Sequence, residues 1–192
     1  MPWKKKFNEE EVLEKAMLAF WRGGFEATSM KNLVDCMGIN PGSIYAAFGS
    51  KKVLFQRTLE LYEAQSNSFL AELEKSHTPR QAIMAMFEHM ATDVRDNPDG
   101  SGCFLVNSVV ESVPKDGEIE RIVRSGLDAF DGFMRRMIIE GQKMGEINGD
   151  LDPVKTARIL HGLVAGGRAL SKGRPDYTIM QDIVEHVDKI LG

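Results

Sequence analysis

Apolar side chains along this chain recur every three or four residues and almost nowhere every second one. Val12, Leu13, Ala16, Met17, Ala19 and Phe20 fall on one side of a helical wheel, and Gly23-Gly24 end the run. Asn8-Glu9-Glu10-Glu11 ahead of it reads as a capping box, with Asn8 accepting from the first turn and Glu11 reaching back. A shorter stripe of Met30, Leu33, Val34 and Met37 predicts a helix over about 28–37. Asn40 then caps a short helix with Pro41 at its first position, where a missing N–H costs little. From Ser50, the positions Val53, Leu54, Leu59, Tyr62, Phe69 and Leu73 mark a long helix. Thr78-Pro79-Arg80-Gln81 opens the next with a cap, and Asn97-Pro98-Asp99-Gly100 ends it. Further helices are expected over about 101–113, 117–144, 153–172 and 176–191. Hairpin turns between alternating β-branched runs are absent. The expected fold is therefore all-α, with about nine helices.

Composition changes this picture little, but the distribution of charge changes it considerably. The 192 residues are 43% hydrophobic and 27% charged, ordinary for a globular protein. The net charge of −4 argues against a nucleic-acid partner when taken alone. Residues 1–57, however, carry nine Lys or Arg against six acids, and the remainder fifteen against twenty-two. A basic N-terminal third on an acidic body suits a small DNA-contacting domain joined to something else. The start, MPWKKKFNEEE, lacks the apolar stretch of a secretory signal, and no segment approaches the ~18 apolar residues of a membrane span. Two cysteines, Cys36 and Cys103, make no disulfide framework, which points to a reducing cytoplasm. His77, His89, His161 and His186 have no metal-binding spacing with acids or cysteines, so neither metal nor cofactor is expected.

The densest signal lies in residues 28–55, TSMKNLVDCMGINPGSIYAAFGSKKVLF. Two short helices are separated by a tight Gly38-Ile39-Asn40 turn and followed by a basic helix start. That order suits a module that sets one helix in a DNA groove. With these residues in hand, the N-terminal region resembles the TetR family of bacterial transcriptional regulators. The matching elements are Thr28-Ser29, Gly38-Ile39-Asn40, Gly42-Ser43-Ile44-Tyr45, Phe48-Gly49-Ser50-Lys51 and Leu54-Phe55. The resemblance covers about a quarter of the chain as motif, and the rest as architecture.

It implies a helix-turn-helix domain over 1–52 and a helical effector-binding and dimerisation domain over 53–192. It also implies that Tyr45 and Lys51 contact phosphates, and that Ser29, Met30 and Lys31 open a helix whose free N–H groups hold another. Base reading falls to Asn40, Pro41, Gly42, Ser43 and Ala46. This set has no Arg for a bidentate guanine contact, so thymine methyls and DNA shape gain weight. Met30, Leu33, Ile44 and Phe48 read first as core of the three-helix domain. Lys4, Lys5 and Lys6 suit either a minor-groove arm or a solvated tail.

A narrower resemblance concerns Asp99-Gly100-Ser101-Gly102-Cys103-Phe104-Leu105-Val106-Asn107. It is similar to a Gly-Cys segment at a helix start in a TetR subgroup that responds to electrophiles and oxidants. A cysteine in a first helical turn has its thiolate favoured by the helix dipole, making Cys103 a candidate sensor beside the plainer reading of a packed small residue. Cys36, on the second helix, reads as packing. Phe87, Phe104, Phe130 and Met134 supply adaptable apolar surface for an effector, although Met and Phe at helical spacing are more often plain core.

Gly162, Gly166 and Gly167 sit in one helix interior, where each glycine costs roughly 1 kcal/mol against alanine. Close approach of another helix explains them, either within the protomer or across a dimer. The dimer is favoured because symmetric DNA readers need two copies, with Gly162, Leu163, Gly166, Ile183, Val187 and Ile190 as its contacts. The leading expectation is a dimeric repressor released from a palindromic double-stranded DNA operator by a small-molecule or redox effector. An architectural DNA-binding protein without effector is the alternative, ahead of a Cys103-dependent enzyme.

Overall fold

The computed structural model describes residues 7–96, 102–110, 117–173 and 176–192; among them the chain forms nine helices and no strand. In order these are α1 (Glu9–Gly23), α2 (Met30–Met37), α3 (Pro41–Phe48), α4 (Lys51–Ser76) and α5 (Pro79–Asp96). They continue with α6 (Phe104–Val110), α7 (Gly117–Lys143), α8 (Pro153–Gly173) and α9 (Thr178–Leu191). The chain divides into two compact units. One comprises Met1–Ala64 with Phe104–Arg124, the other Gln65–Cys103 with Ser125–Gly192. The first unit thus runs past residue 52 into α4 and takes in a segment from much later in the chain. The turn cluster at 97–100, the arm Lys4–Lys6 and Pro114 lie outside the described residues.

The first unit closes around aromatic rings. Phe20 of α1 meets Phe55 of α4 edge-on at 5.1 Å, and Phe25 meets Phe55 at 4.9 Å. Phe104 of α6 stands perpendicular to Phe55 at 5.7 Å and also touches Tyr62 and Trp21. Edge-to-face pairs of this kind add to the stabilisation that burial already supplies. Leu33, Met37, Ile44 and Phe48, all buried, seat α2 and α3 on the same core. These are the positions that the helical stripes assign to the interior.

Helix starts follow the sequence with one exchange. Asn8 caps α1 by accepting from the Glu10 N–H at 3.1 Å. Glu11 does not reach back to complete a box; its carboxylate pairs with Lys15 one turn on, at 2.6 Å. The reciprocal capping box forms instead at α2, between Ser29 and Asn32. Thr28 is not part of that helix but is buried ahead of it, its hydroxyl donating to the Gly24 carbonyl at 2.6 Å.

The second unit packs α5, α7, α8 and α9 with the end of α4 around Ile83, Met86, Phe87, Phe133, Met134, Ile138, Leu160 and Val187. At the end of α7, Gly145 adopts φ +74°; the Glu146 N–H reaches the Gly141 carbonyl and the Gly145 N–H that of Gln142. This Schellman arrangement satisfies carbonyls that a helix end otherwise leaves open. It turns the chain so that Ile147 folds back on Gly141. A Cβ at Gly141 would lie 2.6 Å from Ile147 Cδ1 and 3.3 Å from its Cβ, and both residues are buried. Gly141→Ala therefore gains helix propensity but overpacks, for an expected net loss of about 1–2 kcal/mol in urea denaturation. An unchanged midpoint would contradict that contact.

Candidate nucleic-acid interface

The module begins with α2. Ser29 Oγ accepts the Asn32 N–H at 3.1 Å, and Asn32 Oδ1 accepts the Ser29 N–H at 2.9 Å. The Ser29 hydroxyl donates to the same Asn32 oxygen at 2.5 Å. The side chain of Ser29 is thus committed to the cap. What the helix start still offers is the pair of N–H groups on Met30 and Lys31, with the exposed Lys31 ammonium beside them.

Gly38 ends α2 in the left-handed conformation, φ +69° and ψ 21°, and its N–H bonds the Val34 carbonyl at 3.0 Å. Any Cβ there would be strained, so the tight turn depends on glycine. Two residues later Asn40 caps α3, its Oδ1 accepting the Ser43 N–H at 2.8 Å. Asn40 was expected to read a base, and this bond limits how. A bidentate contact with adenine uses both the amide oxygen and the amide nitrogen. One lone pair of that oxygen holds the cap, so a base contact through it must share the oxygen with the backbone, while the NH2 group is not held by the cap. Gly42 adds to this arrangement, because a Cβ there would come within 3.3 Å of the same Asn40 oxygen.

Of the α3 side chains, Pro41, Gly42, Tyr45 and Ala46 are exposed, Ser43 is half-buried, and Ile44 and Phe48 are buried. Tyr45 is 49% exposed, with its ring on the outer face. No acid lies on α3, and none in the first turn of α2. At the start of α4, the Ser50 hydroxyl accepts the Val53 N–H at 3.2 Å. The half-buried Lys51 rests its ammonium over the Phe25 ring at 4.5 Å and toward the Glu26 carbonyl at 3.5 Å. The surface carrying the expected phosphate anchors is therefore polar, small-sided and cationic. Met30 is half-buried, its side chain shared between surface and core.

The expected effector residues do not share one core. Phe87 and Met134 are fully buried within the second unit, and half-buried Phe130 lies 4.7 Å from the His161 ring. Phe104 belongs to the first unit and packs with Trp21, Phe55 and Tyr62. Cys103 is half-buried and stands one residue ahead of α6 rather than in its first turn, because Gly102 turns the chain at φ +74° and the helix starts at Phe104. Cys36 is exposed on α2, where partial desolvation pushes its thiol above the ordinary value and the backbone carbonyl of Leu33 lies 3.3 Å away. Among the described residues no three His, Cys, Asp or Glu side chains gather as metal ligands, and no helix is long and apolar enough to cross a membrane.

The three α8 glycines separate into two roles. A Cβ on Gly167 would lie 2.5 Å from Ile183 Cδ1 and 2.6 Å from Met180 Sδ, so this glycine admits α9. Gly162 and Gly166 are exposed with nothing within 4 Å. Beside them Leu170, an expected apolar neighbour of these glycines, is 60% exposed, and Ile159, for which no role was expected, is 55% exposed. Their spacing, 159–162–166–170, was the available signal. Val187 is taken up by its own protomer's core, Leu163 and Ile183 pack partly against that core, and Ile190 is half-buried. Burial from within the protomer is the reason Val187 offers no free surface.

Comparison with known proteins agrees with this geometry. Residues 12–58 match the family model of bacterial regulatory proteins of the tetR family, and residues 79–187 match the tetracyclin repressor-like C-terminal domain. The HTH-type transcriptional regulator YezE of Bacillus subtilis is 28% identical over 190 residues, covering 98% of this chain and 96% of its own. The HTH-type transcriptional repressor ComR of Escherichia coli is 29% identical over 166 residues, covering 84% and 78%. A cysteine mutant of the TetR family transcriptional regulator CifR, solved with a 26-bp double-strand operator DNA, superposes with a TM-score of 0.84 at 22% identity. It covers 99% of this chain and all of its own. Two family models spanning both ends of the fold, on a helix-turn-helix with these caps and this exposed face, show that the chain belongs to the TetR family of bacterial transcriptional regulators.

Proposed function

We propose that this regulator acts in the cytoplasm as a homodimeric repressor, holding a palindromic operator until a small molecule or oxidant releases it. The observation that carries the reading is the outer face of α2 and α3. It presents an acid-free α3 with exposed Tyr45, open N–H groups at Met30 and Lys31, and Lys51 at the start of α4. Residues 1–52 serve as the DNA-binding domain and 53–192 as the effector-binding and dimerisation domain. With Ser29 committed to its capping box, phosphate contacts by Met30, Lys31, Tyr45 and Lys51 supply most of the affinity, and that part weakens with salt. Asn40, Pro41, Gly42, Ser43 and Ala46 read bases through the Asn40 amide, small apolar contacts and groove shape.

Dimerisation uses α8 and α9. The bare backbone at Gly162 and Gly166, flanked by exposed Ile159 and Leu170, supports a close helix crossing with a second copy. Leu163, Ile183 and Ile190 border it. A dimer spaces two recognition helices one DNA turn apart, and an effector lowers affinity by favouring a different spacing. Effector contacts are assigned to Phe87, Phe130 and Met134 of the second unit, with Cys103 as the oxidant-sensitive group.

Titration of labelled DNA flanking the gene, at moderate salt and with or without oxidant, tests the reading. Two chains are expected per palindromic site, with binding weakened by oxidant in the natural protein but not in Cys103→Ser. Binding without sequence preference would favour the architectural alternative. Oxidant release that persists in Cys103→Ser would remove the sensor role while leaving the repressor reading intact.

A further inference from the structure

Lys51 is not a lysine waving from a helix start. Its ammonium lies 4.5 Å from the centroid of the Phe25 ring and 3.5 Å from the Glu26 carbonyl oxygen, and among the described residues it forms no ion pair. Phe25 in turn has no room to swing. It is 8% exposed, and its ring is 4.9 Å from Phe55 and 6.2 Å from Phe20. The face it shows to Lys51 is therefore fixed by the core. An aromatic face carries negative potential and attracts a cation, most strongly where water is partly excluded. Lys51 is half-buried at this point.

A free lysine loses much rotamer freedom when it must hold a phosphate. Here the four-carbon stem is already directed. An ammonium has three N–H donors; with the ring on one side and the carbonyl on another, donor capacity remains for an incoming phosphate oxygen. We propose that Phe25 is a positioning residue for operator binding, its ring holding the Lys51 ammonium in place before DNA arrives. This rests on the reading of Lys51 as a phosphate contact. Ser50 caps the same helix turn, so the backbone start of α4 and its cation are both set in the unbound protein. Phe25 lies 26 residues from Lys51 along the chain, so no local spacing links the two.

Stepwise fluorination of Phe25 in the full-length chain, from 4-fluoro to 3,4,5-trifluorophenylalanine, tests this. Ring size and apolar character are nearly kept while the potential of the face is drained. Operator affinity by fluorescence anisotropy should fall stepwise, to about threefold weaker per protomer at the trifluoro stage. In a Lys51→Ala background the same series should have no effect. Equal loss in both backgrounds would overturn the proposal, since the ring would then act only through the core. Affinity that rises with fluorination would also overturn it, since the ammonium would have to leave the ring to reach DNA. Lys51→Ala that leaves both affinity and its salt dependence unchanged would remove the phosphate reading and this inference together. A flat fluorine series beside a damaging Lys51→Ala would remove the Phe25 role alone.

Discussion

Tyr45→Ala is expected to weaken operator binding by roughly 100-fold without lowering the melting temperature. The tyrosine is 49% exposed on α3, and its neighbours Ile44 and Phe48, not Tyr45 itself, anchor that helix to the core. A hydrogen bond to a charged phosphate contributes about 1.5 kcal/mol, and a dimer makes the contact twice, so the two losses combine to about 3 kcal/mol. Tyr45→Phe separates the hydroxyl from the ring. It should recover little affinity if the phosphate bond dominates, and most of it if the ring packs on the sugar-phosphate backbone. Measured at two salt concentrations, the loss should be shared across different DNA sequences, because a phosphate contact carries no base information. A variant that bound its own operator normally would remove Tyr45 from the interface.

Phe55→Ala should have the opposite signature, with stability lost first and DNA binding as a consequence. Phe55 is 1% exposed and its ring meets Phe20, Phe25 and Phe104 within 4.9–5.7 Å. Removing a buried phenylalanine costs about 3–5 kcal/mol, because the surrounding core collapses only partly into the cavity. That is a large share of the ~5–15 kcal/mol that holds a typical domain. Thermal denaturation followed by circular dichroism should show early melting, and operator binding should disappear near the same temperature. Phe55→Leu, which fills most of the space, should restore much of both. If Phe55→Ala melted normally yet failed to bind, the aromatic core would have a role in recognition rather than in folding.

Much of this molecule was legible along the chain. Helical stripes, caps and glycine stops locate nine helices within a few residues, because each is a local balance of burial and end satisfaction. Asn40-Pro41 and Gly38 illustrate this, since cap, proline and positive φ act over three residues and need no distant partner. The inward positions of α3, Ile44 and Phe48, follow in the same way from their spacing, while the outward roles came from the family resemblance. Charge segregation then separates the DNA-reading end from the rest.

Contacts across the chain were not legible. Whether Glu11 closes a capping box or pairs with Lys15 turns on two nearly equal local options, and the structure chose the ion pair. Nor does the pattern of residues tell Gly162 and Gly166 from Gly167, since all three lack a Cβ in one helix. Only the seating of α9, with Ile183 and Met180 at 2.5 and 2.6 Å from a would-be Cβ, makes Gly167 a packing residue and leaves the others bare. Phe104 and Phe87 look alike as apolar positions, yet one completes the aromatic core of the first unit and the other lies inside the second.

The sequence by itself determined which segments are helices and which of their positions turn inward. Those properties depend on neighbours within about one helical turn. The tertiary structure alone decided that Lys51 lies on Phe25, that Gly167 admits α9, and that Val187 is spent on its own protomer. Each is a competition for one position among partners brought together only when distant helices pack, and side-chain spacing along the chain holds no record of which partner wins.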